Sequence, residues 1–191
     1  MKRKIRVILI AAFLILGGTC LLHREHIPQP RRNTEPVVWQ EFTCKDGAFS
    51  IQLPGTPTPL KESESLLQKL ALSRLAGFSL ERQDFPALFY VYYADVPEVY
   101  AKDRDGLLET TCSLARFMKK GKLDVKKIEF EVNPGRETTM DYLDGKNQQV
   151  EVSRIYLVKN RFYQIAVVTP KNQASANFVT KYLDSFGLMD Q

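Results

Sequence analysis

No histidine occurs after His26 in this chain of 191 residues. That removes Ser-His-Asp and Cys-His catalysis, and histidine-based metal sites, from everything downstream. Cysteine is nearly as scarce: Cys20, Cys44 and Cys112 are the three in the chain, with no C-x-x-C spacing. Neither a G-x-S-x-G elbow, a P-loop nor a G-x-G-x-x-G turn is present. No catalytic, cofactor-binding or metal-binding residue set is recognisable, and no cofactor is expected. Carboxylates are plentiful, so a Glu/Asp pair is the one catalytic device left open.

Net charge is also missing from most of the chain. Of 27 basic and 22 acidic residues, seven and two fall within residues 1–38, which leaves twenty of each beyond. The formal +5 therefore belongs to the N-terminal segment. A neutral body lacks the broad phosphate-neutralising term that drives nucleic-acid affinity, so no nucleic-acid partner is expected.

What is present begins with a basic cluster, Lys2, Arg3, Lys4 and Arg6, followed by the sixteen apolar or small residues Val7–Leu22. As a helix, residues 5–22 rise roughly 27 Å, close to the hydrocarbon thickness of about 30 Å. Three readings fit: a cleaved signal peptide, a lipoprotein signal ending at Cys20, and an uncleaved signal anchor. The first lacks an A-x-A-like cleavage site, and the second has Thr19 where Gly, Ala or Ser normally precedes the lipidated cysteine. The anchor needs only apolar length and flanking charge. We therefore expect a signal anchor over residues 1–22, contacting the membrane through residues 5–22. The positive-inside bias places residues 23–191 outside the cytoplasm, in a periplasm or lumen. Residues 23–38, with Pro28, Pro30 and Pro36, read as a solvated linker. His23 and His26 lie there, where polar flank residues are commoner than metal ligands.

Residues 39–189 read as one α+β domain. Trp39–Cys44 and Phe49–Leu53 flank Lys45-Asp46-Gly47-Ala48, whose Asp-Gly marks a hairpin, and Phe49, Ile51 and Leu53 alternate with Ser50 and Gln52. Leu70 and Leu72 share one phase and Phe78 and Leu80 the other, which predicts a turn or bulge near Arg74–Gly77, and Leu88–Ala94 is dense enough for a central strand. Leu107, Leu108, Cys112, Leu114, Ala115 and Met118 form a helical stripe over Asp105–Lys119, with Asp103 or Asp105 as cap. Strands return at Leu123–Val132, Arg136–Leu143, Gln148–Val158 and Phe162–Thr169. Asn133-Pro134-Gly135, Asp144-Gly145 and Lys159-Asn160-Arg161 are the turns between them. A last helix presents Phe178, Val179, Tyr182, Leu183 and Phe186. Hairpin-length connections make the sheet mainly antiparallel, with the two helices covering its faces.

Phe49-Ser50-Ile51-Gln52-Leu53-Pro54-Gly55-Thr56-Pro57, Tyr93-Ala94-Asp95-Val96-Pro97, Pro134-Gly135-Arg136-Glu137, Arg154-Ile155-Tyr156-Leu157-Val158 and Tyr182-Leu183-Asp184-Ser185-Phe186 carry a resemblance. Over residues 40–188 the chain resembles a group of bacterial envelope proteins, many of them cyanobacterial or planctomycete. The order of elements is similar to the PsbP-like α/β/α sandwich of the extrinsic photosystem II protein and of a Ran-binding nuclear protein. The resemblance implies a binding or assembly protein without catalytic residues.

Three sets of residues are candidates for more than packing. Arg136, Arg154, Tyr156 and Tyr163 can form a partner surface that sets a flat cation beside an aromatic; alternatively Arg154 pairs with Glu137 or Asp141 across the sheet. In an oxidising compartment Cys44 and Cys112 are the pair able to form a disulfide, or else two separate buried thiols. Asp95, Glu98, Asp103 and Asp105 make an acidic cluster without EF-hand spacing, and Phe89, Tyr90, Tyr92 and Tyr93 make either a stacking platform or core. The expected function is a membrane-tethered extracytoplasmic binding or assembly module, not an enzyme, with another envelope or membrane protein as partner. The alternative is a carboxylate-dependent envelope hydrolase.

Overall fold

The structure is a computed structural model, and it describes residues 37–60, 74–82, 86–119, 121–144 and 147–189. The expected anchor, Cys20, His23 and His26 lie outside the described residues. No helix among the described residues is long and apolar enough to cross a membrane.

Strands and helices follow in the order β1 (Gln40–Cys44), β2 (Phe49–Leu53), β3 (Thr58–Pro59), β4 (Arg74–Glu81), β5 (Leu88–Asp95), α1 (Glu98–Ala101), α2 (Arg104–Lys119), β6 (Lys122–Phe130), β7 (Asn133–Asp144), β8 (Asn147–Val158), β9 (Arg161–Pro170), α3 (Asn177–Asp184) and β10 (Gly187–Leu188). Seven strands make one antiparallel sheet in the order β3-β4-β5-β9-β8-β7-β6, and β1-β2-β10 make a second. The α+β class and the predominance of antiparallel pairing agree with the sequence reading. β5 pairs with β4 on one side and β9 on the other, as its apolar density requires.

The layers differ from two helices flanking a sheet. α1 and α2 cover one face, with Leu107, Leu108 and Cys112 packed on Ala94, Leu123, Met140, Ile155, Leu157 and Phe162. The small sheet and α3 together cover the other. Phe49, Ile51 and Leu53, all on one phase of β2, bury against Phe89, Val91, Tyr93, Ile165 and Val167, alongside Val179, Tyr182, Leu183 and Phe186. Gly187 does not simply end the last helix: it starts β10, which pairs with β2 through Gly187↔Ser50 and Leu188↔Phe49.

Two turn assignments need correction. β4 pairs residue for residue with β5 from Arg74 to Glu81, so the predicted bulge is absent there; Leu70 and Leu72, whose phase prompted it, are outside the described residues. The β6–β7 turn is Glu131-Val132, with Glu131 at φ 55°, not Asn133-Pro134-Gly135. Pro134 and Gly135 belong to β7. Pro134 lies beyond the first β7–β8 pair, Gly135↔Tyr156, so its missing N–H breaks no rung there. Gly135 is required by its neighbour: a Cβ would stand 2.5 Å from the Tyr156 ring and 2.8 Å from the Ile155 carbonyl. The first hairpin loop, Lys45 to Ala48, falls where the sequence puts it, with Ala48 at a positive φ of 52°. The turn at Lys159-Asn160 falls where the sequence puts it.

Candidate functional site

Arg136 is the largest fully buried side chain among the described residues, 1% exposed. It lies on the α2 face of β7. Nη2 donates to Asp105 at 2.8 Å and Glu109 at 3.0 Å, Nε to Glu109 at 3.2 Å, and Nη1 to the Gly135 carbonyl at 2.8 Å. The guanidinium therefore ties α2 to the sheet. Hydrogen bonding from Arg136, with Lys127 nearby, holds the Asp105 carboxyl below the usual carboxylate range. Helix capping falls to Asp103, whose Oδ1 accepts from the Gly106 N–H at 2.9 Å.

Arg154 is on the opposite face. Its register partner is Glu137, whose Oε2 accepts from Nε at 2.9 Å, while Nη1 reaches Asp184 of α3 at 2.6 Å. Asp141 is instead held by Lys171 at 2.7 Å. Tyr156 and Tyr163 are buried. Tyr156 stacks on Phe186 with centroids 5.9 Å apart, and the Tyr163 hydroxyl donates to the Gly47 carbonyl at 2.8 Å. The four residues expected to form one partner surface are thus split between two faces of a covered sheet, and each is engaged internally. A strand places residues 136 and 137 on opposite faces, and only cover decides which of them meets solvent.

Cys44 and Cys112 are both free and buried. Cys44 lies in the small-sheet core and Cys112 in the α2 core, so the seven-stranded sheet separates them and no disulfide forms. Burial pushes the Cys112 thiol up to about 11. The Cys44 sulfur accepts from the Gly47 N–H at 3.2 Å. The acidic cluster disperses as well: Asp95 pairs with Arg161 at 2.5 Å, Asp103 caps α2, and Asp105 meets Arg136. Phe89, Tyr90, Tyr92 and Tyr93 are all buried.

The sequence reading missed a polar band on the α2 face. Gln149, Glu151 and Ser153 project from β8 at alternate positions, and Gln164 projects from β9 opposite Ile155. All four are at least 95% buried. Ser153 meets Thr138 at 2.7 Å. Desolvation, reinforced by the Glu151 carboxylate, raises the Tyr90 pKa well above the ordinary phenol value. Burial and the same carboxylate raise Tyr92. The side-chain oxygens Oε1 of Gln149 and Gln164 are buried with no hydrogen-bond partner among the described residues. A buried acceptor left unmet costs about 1–3 kcal/mol. Two of them on one face make it a region rich in acceptors and short of donors. Gln149, Glu151 and Ser153 were legible as one polar phase of β8, but alternation alone assigns such a phase to solvent.

No protein-family model and no curated protein sequence matches the chain. Solved structures do. Cyanobacterial PsbP (CyanoP) from Synechocystis sp. PCC 6803 superposes with a TM-score of 0.53 at 8% identity, over 84% of this chain and 98% of that one. A protein of Bacteroides thetaiotaomicron VPI-5482 superposes with a TM-score of 0.51 at 12% identity, over 79% of this chain and 48% of that one. At these identities the likeness is one of fold, and the fold is PsbP-like.

Proposed function

We propose that the chain is a membrane-tethered, extracytoplasmic binding or assembly module, not an enzyme. What supports this reading is the PsbP-like fold, shared with CyanoP over 84% of this chain. Acid–base hydrolysis asks for a second carboxylate beside the first, and Glu151 is the one buried acidic residue among those described. Asp105, Glu109, Glu137 and Asp184, each bound to an arginine, serve as fasteners. The basic cluster before the apolar run supports the tether and its orientation. The PsbP-like fold is compatible with a binding role and names no partner.

The test uses the full chain, tagged at its C-terminus. Protease added to intact spheroplasts should remove residues beyond the membrane, and mass spectrometry of the N-terminus should show no diacylated Cys20. Pull-down from detergent-solubilised membranes should then recover one envelope protein in fixed stoichiometry. Recovery of the chain alone, together with ester or glycoside hydrolysis that Glu151→Gln abolishes, would establish the hydrolase instead.

A further inference from the structure

The seven-stranded sheet ends differently on its two sides. β3 is two residues long and contains Pro59, so it offers little to a further strand. β6 runs nine residues without proline, pairs one for one with β7, and among the described strands has no neighbour on its other side. A long regular edge without a bulge is a template for strand addition.

The charges on β6 indicate what adds to it. Two copies joined edge to edge by a two-fold axis keep their helix faces on the same side of the joint sheet. Each residue then opposes one of the same face, so the two residue numbers in every pair have an even sum. Among such registers, the one centred on Val125 sets Val125 against Val125, Asp124 against Lys126 twice, Leu123 against Lys127 and Lys122 against Ile128. It contains two unlike-charge pairs and no like-charge pair. Moving the axis by one residue, to Asp124 or to Lys126, places a like charge at the centre; the registers centred on Leu123 and Ile128 also oppose unlike charges, but they pair at most five residues of β6 against seven here.

The charges concerned are available. Lys126 is exposed and makes no ion pair among the described residues, because Glu137 across from it on β7 is held by Arg154. Among the described residues Asp124 reaches only along its own strand to Lys122, at 3.4 Å with both side chains exposed. Val125, at 38% exposure, is an apolar side chain left open between them. α2 reaches β6 through Lys127–Asp105 at 3.6 Å and Arg116 to the Leu123 carbonyl at 3.4 Å.

We propose that the chain forms an isologous dimer by antiparallel pairing of β6 with β6 of a second copy, centred on Val125. The fourteen-stranded sheet so formed leaves both polar bands in place, and the inference does not depend on the proposed function.

The experiment uses the full chain in nanodiscs, with Cys20→Ser removing the one cysteine outside the described residues. Val125→Cys lies on the axis, where facing α-carbons stand about 4.5–5.5 Å apart, within disulfide range. Val132→Cys, at the far end of the hairpin, is the control: seven residues from the axis puts its two copies roughly 48 Å apart. Mild oxidation should cross-link Val125→Cys at least tenfold faster than Val132→Cys. Asp124→Lys and Lys126→Asp should each reduce the dimer fraction about tenfold at equal concentration, and the double exchange should restore it. Equal cross-linking at both cysteines, a wild-type monomer at every concentration, or single exchanges without effect would each overturn the proposal.

Discussion

On one face of the seven-stranded sheet, Phe186 meets Phe49, Phe130, Tyr156 and Tyr163 with ring centroids 5.4 to 5.9 Å apart. On the other, Gln149, Glu151, Ser153 and Gln164 occupy positions equally removed from water. Both faces are buried and both belong to the same strands, β8 and β9 above all. The aromatic face supplies area and ring geometry, and each such contact stabilises the fold. The polar face gives up part of that stabilisation, since two amide oxygens are buried without a donor. A strand phase that could have been apolar is instead polar, buried and incompletely satisfied, and the fold forgoes stability there. The arginines sit between these extremes: Arg136 and Arg154 each use a charge to hold a helix to the sheet.

The largest effect should come from breaking the aromatic side. Phe186→Ala removes a ring shared by four others and should cost about 3–5 kcal/mol, lowering the melting temperature by roughly 10 °C. Arg136→Ala should cost about 2 kcal/mol, less than a fully buried pair, because Asp105 and Glu109 are more than half exposed and regain water. Arg136→Met, which keeps the volume, should recover most of that loss. The two variants also separate charge from packing by pH. Asp105 has a depressed pKa in the folded state, so its contribution is complete above the unfolded carboxylate value of about 3.9 and disappears as pH falls through the folded value. The gap between wild type and Arg136→Met, measured by urea unfolding, should narrow over that acid range and stay constant above about pH 5. Arg154→Ala should cost the least, about 0.5–1 kcal/mol, since Glu137 and Asp184 are partly solvated. Partner capture should survive it, because the guanidinium is already engaged by Glu137 and Asp184.

Much of the aromatic side was legible in the sequence. The phase of Phe49, Ile51 and Leu53, the run at Leu88–Ala94 and the stripe at Leu107, Leu108 and Cys112 are period signals that depend on local geometry. What escaped depends on cover and on distant neighbours. Asn133-Pro134-Gly135 has strong turn chemistry, yet Gly135 is in a strand because the Tyr156 ring lies where its side chain would be. Gln149, Glu151 and Ser153 look like a solvated phase until Tyr90 and Tyr92, some sixty residues earlier in the chain, are folded onto the same face. Arg136 and Arg154 looked like neighbours on a surface, and one residue of strand parity sends them to opposite sides of the sheet.

The central claim is that the polar band forgoes stability. Its most direct test is the unfolding free energy of Gln164→Leu, a substitution of similar volume that deletes an orphaned acceptor. The account predicts that urea unfolding will show a gain of about 1 kcal/mol, and a further gain when Gln149→Leu is added. A loss of about 1 kcal/mol or more in Gln164→Leu would mean that the amide is satisfied and structural, and would contradict the account.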